Sequence, residues 1–306
     1  MRPRFAPLLL SALLLTNLSF AVQASTQVYM GDSQGVLGGY SIPLNASAGA
    51  VSGGGFIDEG PQIVEIYTAT WCENCVPAES ALMDSIEGEY VTVLANHRYI
   101  GEVEDPFGTQ EGDDRWTSLY GQASLDATSY YERAAPTMVF DGTHLKAGST
   151  PLGDSLEEDY AAMFADIHEY KSHHVSSTFT WTPIDNTSGT LQWQFDLQPE
   201  WEYLTWTSRA MVVEESAYFP NGSNGLEHYE HVVRAVLDLD GLGGEETLVI
   251  PEAWDGDDLS LVLVHEWNAP TVVVEPEEGG ILGLPGFLAP MALVALLVAA
   301  LRRRNP

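Results

Sequence analysis

The stretch "IVEIYTATWCENCVPAESALMDSI", residues 63–86, decides the first part of the fold. It begins as a short β-rich run and continues as a segment typical of a helix. Between the two lie Cys72 and Cys75, which are the only cysteines among the 306 residues. The main question that the sequence raises is whether this pair is a redox centre, half of a metal site or a structural staple.

The placement of the pair favours redox chemistry. A thiolate at the amino end of a helix is stabilised by unpaired backbone N–H groups and by the helix dipole, which lowers the thiol pKa. Because two residues separate the cysteines, the second thiol lies close enough to resolve a mixed disulfide formed by the first. We therefore predict that Cys72 is the nucleophile and Cys75 the resolving thiol.

Two other interpretations compete with this one. A structural zinc site usually needs four ligands, but there is no second cysteine pair, and His168, His173 and His174 lie far along the chain. His228 and His231 lie close together without an evident third ligand. An inert disulfide suits an exported protein, although a bridge that closes so short a loop constrains the unfolded chain little. The sequence therefore predicts no metal site and no cofactor, and the inert staple remains an alternative.

Two motifs resemble the thioredoxin-like superfamily. "YTATWCENC" matches the strand and W-C-x-x-C motif of that family, and "AAPTMVFDG" matches its later cis-proline, here Pro136, with the strand that follows. The resemblance implies a thioredoxin-like α/β fold in which the proline packs beside the disulfide. It also implies a set of site residues, which are the catalytic Cys72, Cys75 and Pro136 and the substrate-binding Trp71, Ala135 and Thr137.

The sequence is most similar to secreted thioredoxin-like proteins of the type first described as a bacterial outer-membrane lipoprotein. The shared features are an insertion, "HRYIGEVEDPFGTQEGDDRWTSLYG", a "PT-x-x-x-DG" strand and a β-rich carboxy-terminal region, which together cover residues 62–266. The sequence departs from cytosolic thioredoxins at their buried Asp, where Ile66 stands with Glu65 beside it. His97 and the acidic residues of the insertion, Asp105 and Asp113 among them, are interpreted as an acidic surface loop.

The hydrophobic pattern divides the rest of the chain into segments. Residues 25–61 are rich in Gly, Ser and Ala and are predicted to be a flexible spacer with one short strand near "TQVYM". Alternating strand and helix patterns favour an α/β domain over residues 62–172, with a capping box beginning at Ser155. About seven short β-rich runs favour an all-β sandwich module over residues 175–275, and residues 276–280 form an acidic linker.

Both termini carry targeting features. Residues 1–24 combine two arginines, an apolar run and a small-residue cleavage pattern, which is typical of a secretory signal peptide. Residues 281–306 begin with about 21 mostly apolar residues, enough to cross a bilayer once, and continue into three arginines. Because it contains "LPGF", this tail resembles the PGF sorting signal of archaeal surface proteins, with a plain transmembrane helix as the alternative. We therefore predict an exported, cell-surface protein that is membrane-anchored at its carboxy terminus.

The charge balance excludes nucleic acid as a partner. The chain has 12 basic and 44 acidic residues, a formal net charge of −32 at pH 7. Five of the basic residues lie in the two terminal signals, so the region between them has seven basic residues against 44 acidic ones, a net charge of −37. Such a surface repels the phosphate backbone of nucleic acid.

These features favour a cell-surface thiol–disulfide oxidoreductase that acts on the thiols or disulfides of exported proteins. Trp71 would shield the disulfide, and Pro136 with Ala135 would dock the substrate chain. The alternative is a non-catalytic surface protein, in which the thioredoxin-like part is a scaffold and the β-rich module binds a partner. Whether the disulfide is accessible and exchanges discriminates between the two.

Overall fold

The computed structural model describes residues 26–44, 49–99, 105–165 and 175–270. Within these ranges the chain forms three α-helices, α1 (Cys75–Ser85), α2 (Gln110–Thr128) and α3 (Leu156–Ala165). It also forms thirteen strands: β1 (Gln27–Tyr29), β2 (Gln34–Pro43), β3 (Val51–Phe56), β4 (Gln62–Thr68), β5 (Val91–His97), β6 (Thr137–Phe140), β7 (His144–Ala147), β8 (Ser176–Asp185), β9 (Ser188–Asp196), β10 (Thr205–Tyr218), β11 (His228–Leu239), β12 (Gly243–Val249) and β13 (Leu259–Asn268).

Side-chain caps mark where α2 and α3 begin, whereas α1 has none. Helix α1 begins at Cys75, directly after the loop that carries the other cysteine. The side chain of Thr109 caps α2 by accepting a hydrogen bond from the backbone N–H of Gly112 at 3.1 Å. Ser155 accepts a hydrogen bond from the backbone N–H of Glu158 at 3.1 Å, which confirms the cap predicted at the start of α3.

The strands form two sheets. The larger has nine strands in the order β1-β7-β6-β4-β5-β11-β10-β13-β2, and the smaller has four in the order β12-β9-β8-β3. Strands β4 and β5 run parallel along their whole length. Strand β11 continues the sheet beside β5 through the parallel pair Val232–Ala95. The larger sheet therefore runs without interruption from early strands into late ones.

Helices cover both faces of the nine-stranded sheet around β4. Successive side chains of a strand point to opposite faces, so Ile66 packs with α1 and α3 whereas Tyr67 packs with α2. The first face buries Leu82 of α1 and Tyr160 of α3. On the second face Trp116 of α2 stacks on Tyr67, with 4.7 Å between ring centroids. Two consecutive residues of β4 thus belong to separate apolar clusters on opposite faces of the sheet.

The four-stranded sheet packs against the far end of the nine-stranded sheet. Strands β8 and β9 alternate buried and more exposed residues, as predicted for strands with one buried face. Trp181 of β8 and Trp193 of β9 share an apolar cluster with Val212 of β10 and Leu263 of β13. A sandwich therefore forms between the two sheets.

A buried ion network joins early and late parts of the chain. The guanidinium of Arg115 on α2 donates from Nη2 to Glu65 Oε1 of β4 at 2.9 Å, and from Nε to Glu266 Oε1 of β13 at 2.6 Å. All three side chains are at most 2% exposed. Burial alone would raise the pKa of Glu65, but the ion pair with Arg115 and hydrogen bonds from Tyr120 and Asn96 hold that pKa below its ordinary value.

The predicted fold class is wrong. An α/β thioredoxin-like domain over residues 62–172, followed by an all-β sandwich module over residues 175–275, would keep the two sets of strands in separate sheets. Instead the described residues are mainly β-sheet, β10, β11 and β13 extend the sheet of β4 and β5, and no separate thioredoxin core is evident. The predicted spacer also contributes β2 and β3, whereas β1 agrees with the short strand predicted near "TQVYM". Hydrophobic alternation shows which face of a strand is buried, but not which neighbour the strand pairs with.

The predicted carboxy-terminal transmembrane anchor is not supported, and the membrane-anchored location that rests on it is corrected as well. No helix among the described residues is long and apolar enough to cross a membrane. The signal peptide over residues 1–24, the linker over residues 276–280 and the tail over residues 281–306 lie outside the described residues.

Candidate functional site

The two cysteines form a disulfide at the junction between β4 and α1, with their Cα atoms 5.3 Å apart. The chain turns tightly between strand and helix. The backbone N–H of Cys72 donates to the carbonyl of Ala69 at 3.0 Å, and that of Cys75 donates to the carbonyl of Cys72 at 3.2 Å. Cys72 is 7% exposed and Cys75 is fully buried. Cys72 is therefore the more exposed member of the pair, although it too is largely buried.

Several of the predicted site residues surround this disulfide. Trp71 and Ala135 pack against the cluster that contains the two cysteines. The Ala135–Pro136 peptide bond is cis, as the resemblance implies. Thr137 is fully buried, and its hydroxyl donates to the carbonyl of Ala134 at 2.7 Å. The side chain of Thr137 therefore faces protein, whereas Trp71 and Ala135 are only half-buried.

A clamp on the backbone of Thr70 fixes the loop that leads to the disulfide. Asp105 Oδ2 accepts a hydrogen bond from the N–H of Thr70 at 2.8 Å. The Thr70 carbonyl accepts hydrogen bonds from the N–H of Asn224 at 3.2 Å and from the hydroxyl of Tyr229 at 3.3 Å. His97 Nδ1 lies 3.0 Å from Asp105 Oδ2. Burial alone would raise the pKa of Asp105, but His97 and the backbone donors hold it below its ordinary value.

Glu79 places a half-buried carboxyl one helical turn after Cys75 on α1. The hydroxyl of Thr68, the last residue of β4, donates a hydrogen bond to this carboxyl. Burial raises the pKa of Glu79 above its ordinary value. Such a carboxyl takes up and releases a proton nearer to neutral pH than an exposed one. A cavity of about 360 Å³ adjoins both Glu79 and His97.

A positive charge lies on the other side of the loop. The guanidinium carbon of Arg98 is 5.5 Å from the centroid of the Trp71 ring, within the range of a cation–π contact. Trp71 directly precedes Cys72 and packs against the cluster that contains both cysteines.

Some residues around the site were missed by the sequence interpretation. The prediction of an acidic surface loop is wrong for His97, Asp105 and Asp113, all of which are buried. His97 pairs with Asp105 in the same segment, but Asp105 and Asp113 also accept hydrogen bonds from Thr70 and Tyr67 far earlier in the chain. The local pattern does not show those distant contacts. Glu79 was also missed, although its spacing of four residues from Cys75 places both on one helix face. That spacing is a signal from which Glu79 could have been predicted as a neighbour of Cys75.

In the described ranges no set of three or more His, Cys, Asp or Glu side chains is arranged to hold a metal ion. His231 instead lies 3.3 Å from Glu215 Oε2, and the ring of His228 contacts that of Tyr218 with 5.0 Å between centroids.

Comparison with known proteins finds distant similarity to solved structures. No protein-family model matches the sequence, and no curated protein matches it significantly. An X-ray structure of a protein from Agrobacterium tumefaciens is 18% identical with a TM-score of 0.40, covering 62% of this chain and 79% of that one. HBP35 of Porphyromonas gingivalis is 16% identical with a TM-score of 0.36, covering 68% of this chain and 64% of that one. Neither similarity assigns this chain to a family.

Proposed function

We propose that the protein exchanges thiols and disulfides with protein substrates through Cys72 and Cys75. The observation that supports this best is the asymmetry of the pair: Cys72 precedes α1 and keeps a small exposed area, whereas Cys75 is fully buried in the first turn of the helix. An attacking thiol needs access to its substrate, and a resolving thiol needs access only to its neighbour. Trp71 and Ala135 would contact the substrate chain beside the disulfide.

The exchange has two steps. In the reduced protein the Cys72 thiolate attacks one sulfur of a substrate disulfide R–S–S–R′, forming the mixed disulfide Cys72–S–S–R and releasing R′–S⁻. The Cys75 thiolate then attacks Cys72 Sγ, which closes the Cys72–Cys75 disulfide and releases R–S⁻. The substrate gains the two electrons that the dithiol loses, and the two dithiol protons pass to the released thiolates. In reverse, the same steps oxidise a substrate dithiol.

We assign to Glu79 the proton of the Cys75 thiol. Cys75 must lose this proton before it attacks, and side chains four residues apart lie on the same face of a helix. Because burial raises the pKa of Glu79, its carboxylate is a stronger base than an exposed one and can accept that proton.

A trapping experiment tests the exchange. Cys75→Ser keeps the attacking thiol and removes the resolving one. The reduced variant should therefore accumulate a mixed disulfide with a disulfide-containing test protein such as insulin. Cys72→Ser is the matched control and should trap little, because Cys75 is fully buried. Non-reducing gels and the mass of the adduct measure the outcome.

Alkylation at graded pH provides a second readout. In the reduced protein we expect the Cys72 thiol to react faster than Cys75, and at a lower pH than an ordinary thiol with a pKa of about 8.5. Equal, slow alkylation of both thiols, with no trapped adduct from either variant, would overturn the proposal. That result would favour the non-catalytic binding protein.

A further inference from the structure

A groove runs along one side of α1, and of its lining the exchange steps use Glu79 alone. Its first compartment, of about 360 Å³, lies between α1 and strands β5 and β11 and begins at Val76, the residue after Cys75. The second, of about 460 Å³, continues over β10 and β13. The two compartments share Met83 and His231, and we call them together the α1 groove. Each volume falls within the range of about 300–1,000 Å³ that is typical of ligand clefts.

An irregularity in β11 shapes the α1 groove. Strands β5 and β11 meet at the pair Val232–Ala95, and the register between β11 and β10 shifts nearby. His231, next to this pair, has a φ of 55°. Positive φ is uncommon outside glycine, and bulges of this kind redirect a side chain. The side chain of His231 lines both compartments, and its Nδ1 lies 3.3 Å from Glu215 Oε2.

The lining of the α1 groove includes an apolar strip. Val76 and Leu226 contribute to the first compartment and Val91 to the second, and each of them is half-buried. Met83 lies where the compartments meet and is 42% exposed, although it is a large apolar side chain. The strip can therefore take up apolar side chains of a ligand along its whole length.

Carboxylates accompany this strip. The acidic residues that line the two compartments are Glu79, Glu87, Glu89, Glu215 and Glu230. In the described part of the chain no lysine or arginine lines either compartment. The hydrogen bond from His231 lowers the pKa of Glu215, so this carboxylate is ionised at neutral pH. The formal net charge of −32 also attracts cations to the surface.

We propose that the α1 groove binds an extended, cationic segment of the protein substrate. In an extended chain successive side chains point to opposite sides, so apolar residues would pack on the strip while alternate Lys or Arg residues meet the carboxylates. Because the groove begins beside Cys75, the segment would flank the substrate cysteine. The inference rests on the proposed exchange reaction and adds the class of substrate.

Binding of a labelled peptide to the oxidised full chain tests the inference without any exchange. The probe alternates Lys and Val and contains no cysteine, and its control carries Glu in place of each Lys. By fluorescence anisotropy we expect the Lys peptide to bind and the Glu peptide not to bind. Glu215→Gln/Glu230→Gln should weaken binding about three- to tenfold, since each exposed ion pair contributes modestly. Both side chains are exposed, so the substitutions leave the core intact.

The matched control is Glu200→Gln/Glu202→Gln, which removes the same charge from exposed positions away from the groove. It should bind the Lys peptide as the unaltered chain does. Equal weakening by both double variants, or equal binding of both peptides, would overturn the inference.

Trapping by Cys75→Ser is measured separately from peptide binding. Selective peptide binding without a trapped adduct would uphold cation recognition by the groove but overturn the exchange, whereas trapping without peptide selectivity would do the reverse.

Discussion

The two sheets of this molecule are stabilised by different interactions. The four-stranded sheet contributes aromatic and aliphatic side chains to the sandwich core, and none of its described residues is a buried charged side chain. The nine-stranded sheet and its helices contain buried Glu65, Arg115, Lys146, Glu214 and Glu266. The sheet that positions the disulfide is thus also the one that depends on paired charges.

This difference has a thermodynamic consequence. Apolar burial stabilises a fold at any pH, whereas a buried ion pair contributes only while both partners are ionised and joined. The pKa of Glu65 is lowered in the folded protein. Its contribution to the free energy of unfolding is therefore present above its unfolded pKa and is lost as the pH falls through the folded value. The nine-stranded sheet should be the acid-sensitive part of the molecule.

Breaking the ion network should have the largest effect. Arg115→Met leaves Glu65 without its guanidinium partner in a buried position, and we expect a loss of about 3–5 kcal/mol in the free energy of unfolding. Urea unfolding at neutral pH measures it. Arg115→Met/Glu65→Met should regain part of this loss, because Glu266 keeps its ion pair with Arg209. A single variant that unfolds at the same urea concentration as the unaltered protein would show that the network contributes little.

Truncating a core side chain of the four-stranded sheet should lower the free energy of unfolding somewhat less than Arg115→Met does. Leu191 is fully buried on β9, and Leu191→Ala should lower the free energy of unfolding by about 3 kcal/mol through lost transfer energy and a cavity. Unlike the loss from Arg115→Met, this loss should be the same at pH 7 and pH 4.5, because no ionisable group is involved. A loss from Leu191→Ala that shrinks on acidification would contradict the contrast between the sheets.

Sequence patterns predicted strands well and their neighbours poorly. The alternation in "TLQWQFDLQ" predicts a strand with one buried face, which is confirmed in β9. The Gly-rich segment predicted to be a spacer instead forms β2 and β3. Gly38 and Gly39 have positive φ where the register between β2 and β13 shifts. A Cβ on Gly54 would lie 2.1 Å from the carbonyl oxygen of Ser177. These glycines permit bulges and close approach, a role that composition does not distinguish from flexibility.

The site was predictable only where its residues are local. Cys72 and Cys75 lie in one motif, and the resemblance supplied the cis bond at Pro136. The clamp on Thr70 joins Asp105 with Tyr229, which are distant in sequence and belong to segments predicted to lie in different domains. A buried acidic residue differs from a surface one only by its partners, and those depend on the sheet order.

Packing between the two sheets should become less stable in acid because of His265. Its ring lies fully buried between Ser177 of β8, at 2.8 Å, and Ser208 of β10, at 2.9 Å. Burial lowers its pKa to about 3. The contribution of neutral His265 to the free energy of unfolding is therefore fully present above the unfolded pKa of about 6.5. It falls by about 1.4 kcal/mol per pH unit as the pH drops towards 3.

The test compares urea unfolding of the unaltered protein and of His265→Gln between pH 7 and pH 4.5. The variant has a side chain that can hydrogen-bond but does not titrate. The slope of its unfolding free energy against pH should therefore be smaller, by the amount that corresponds to about one proton bound on unfolding. Parallel curves for the two proteins would mean that His265 does not contribute to acid sensitivity.

The smallest effect should come from the cap of α2, the helix that supplies Arg115 to the network. Thr109→Ala removes the oxygen that accepts the N–H of Gly112 and should cost about 1 kcal/mol of unfolding free energy. Thr109→Ser keeps the acceptor and should restore most of it. Because the cap acts on the first turn, hydrogen exchange at Gly112 should accelerate in the Ala variant and not in the Ser variant, while Leu191 in the four-stranded sheet keeps its protection. Equal losses in the Ala and Ser variants would assign the effect to the lost methyl group instead, and faster exchange at Leu191 as well would show that the two sheets unfold together.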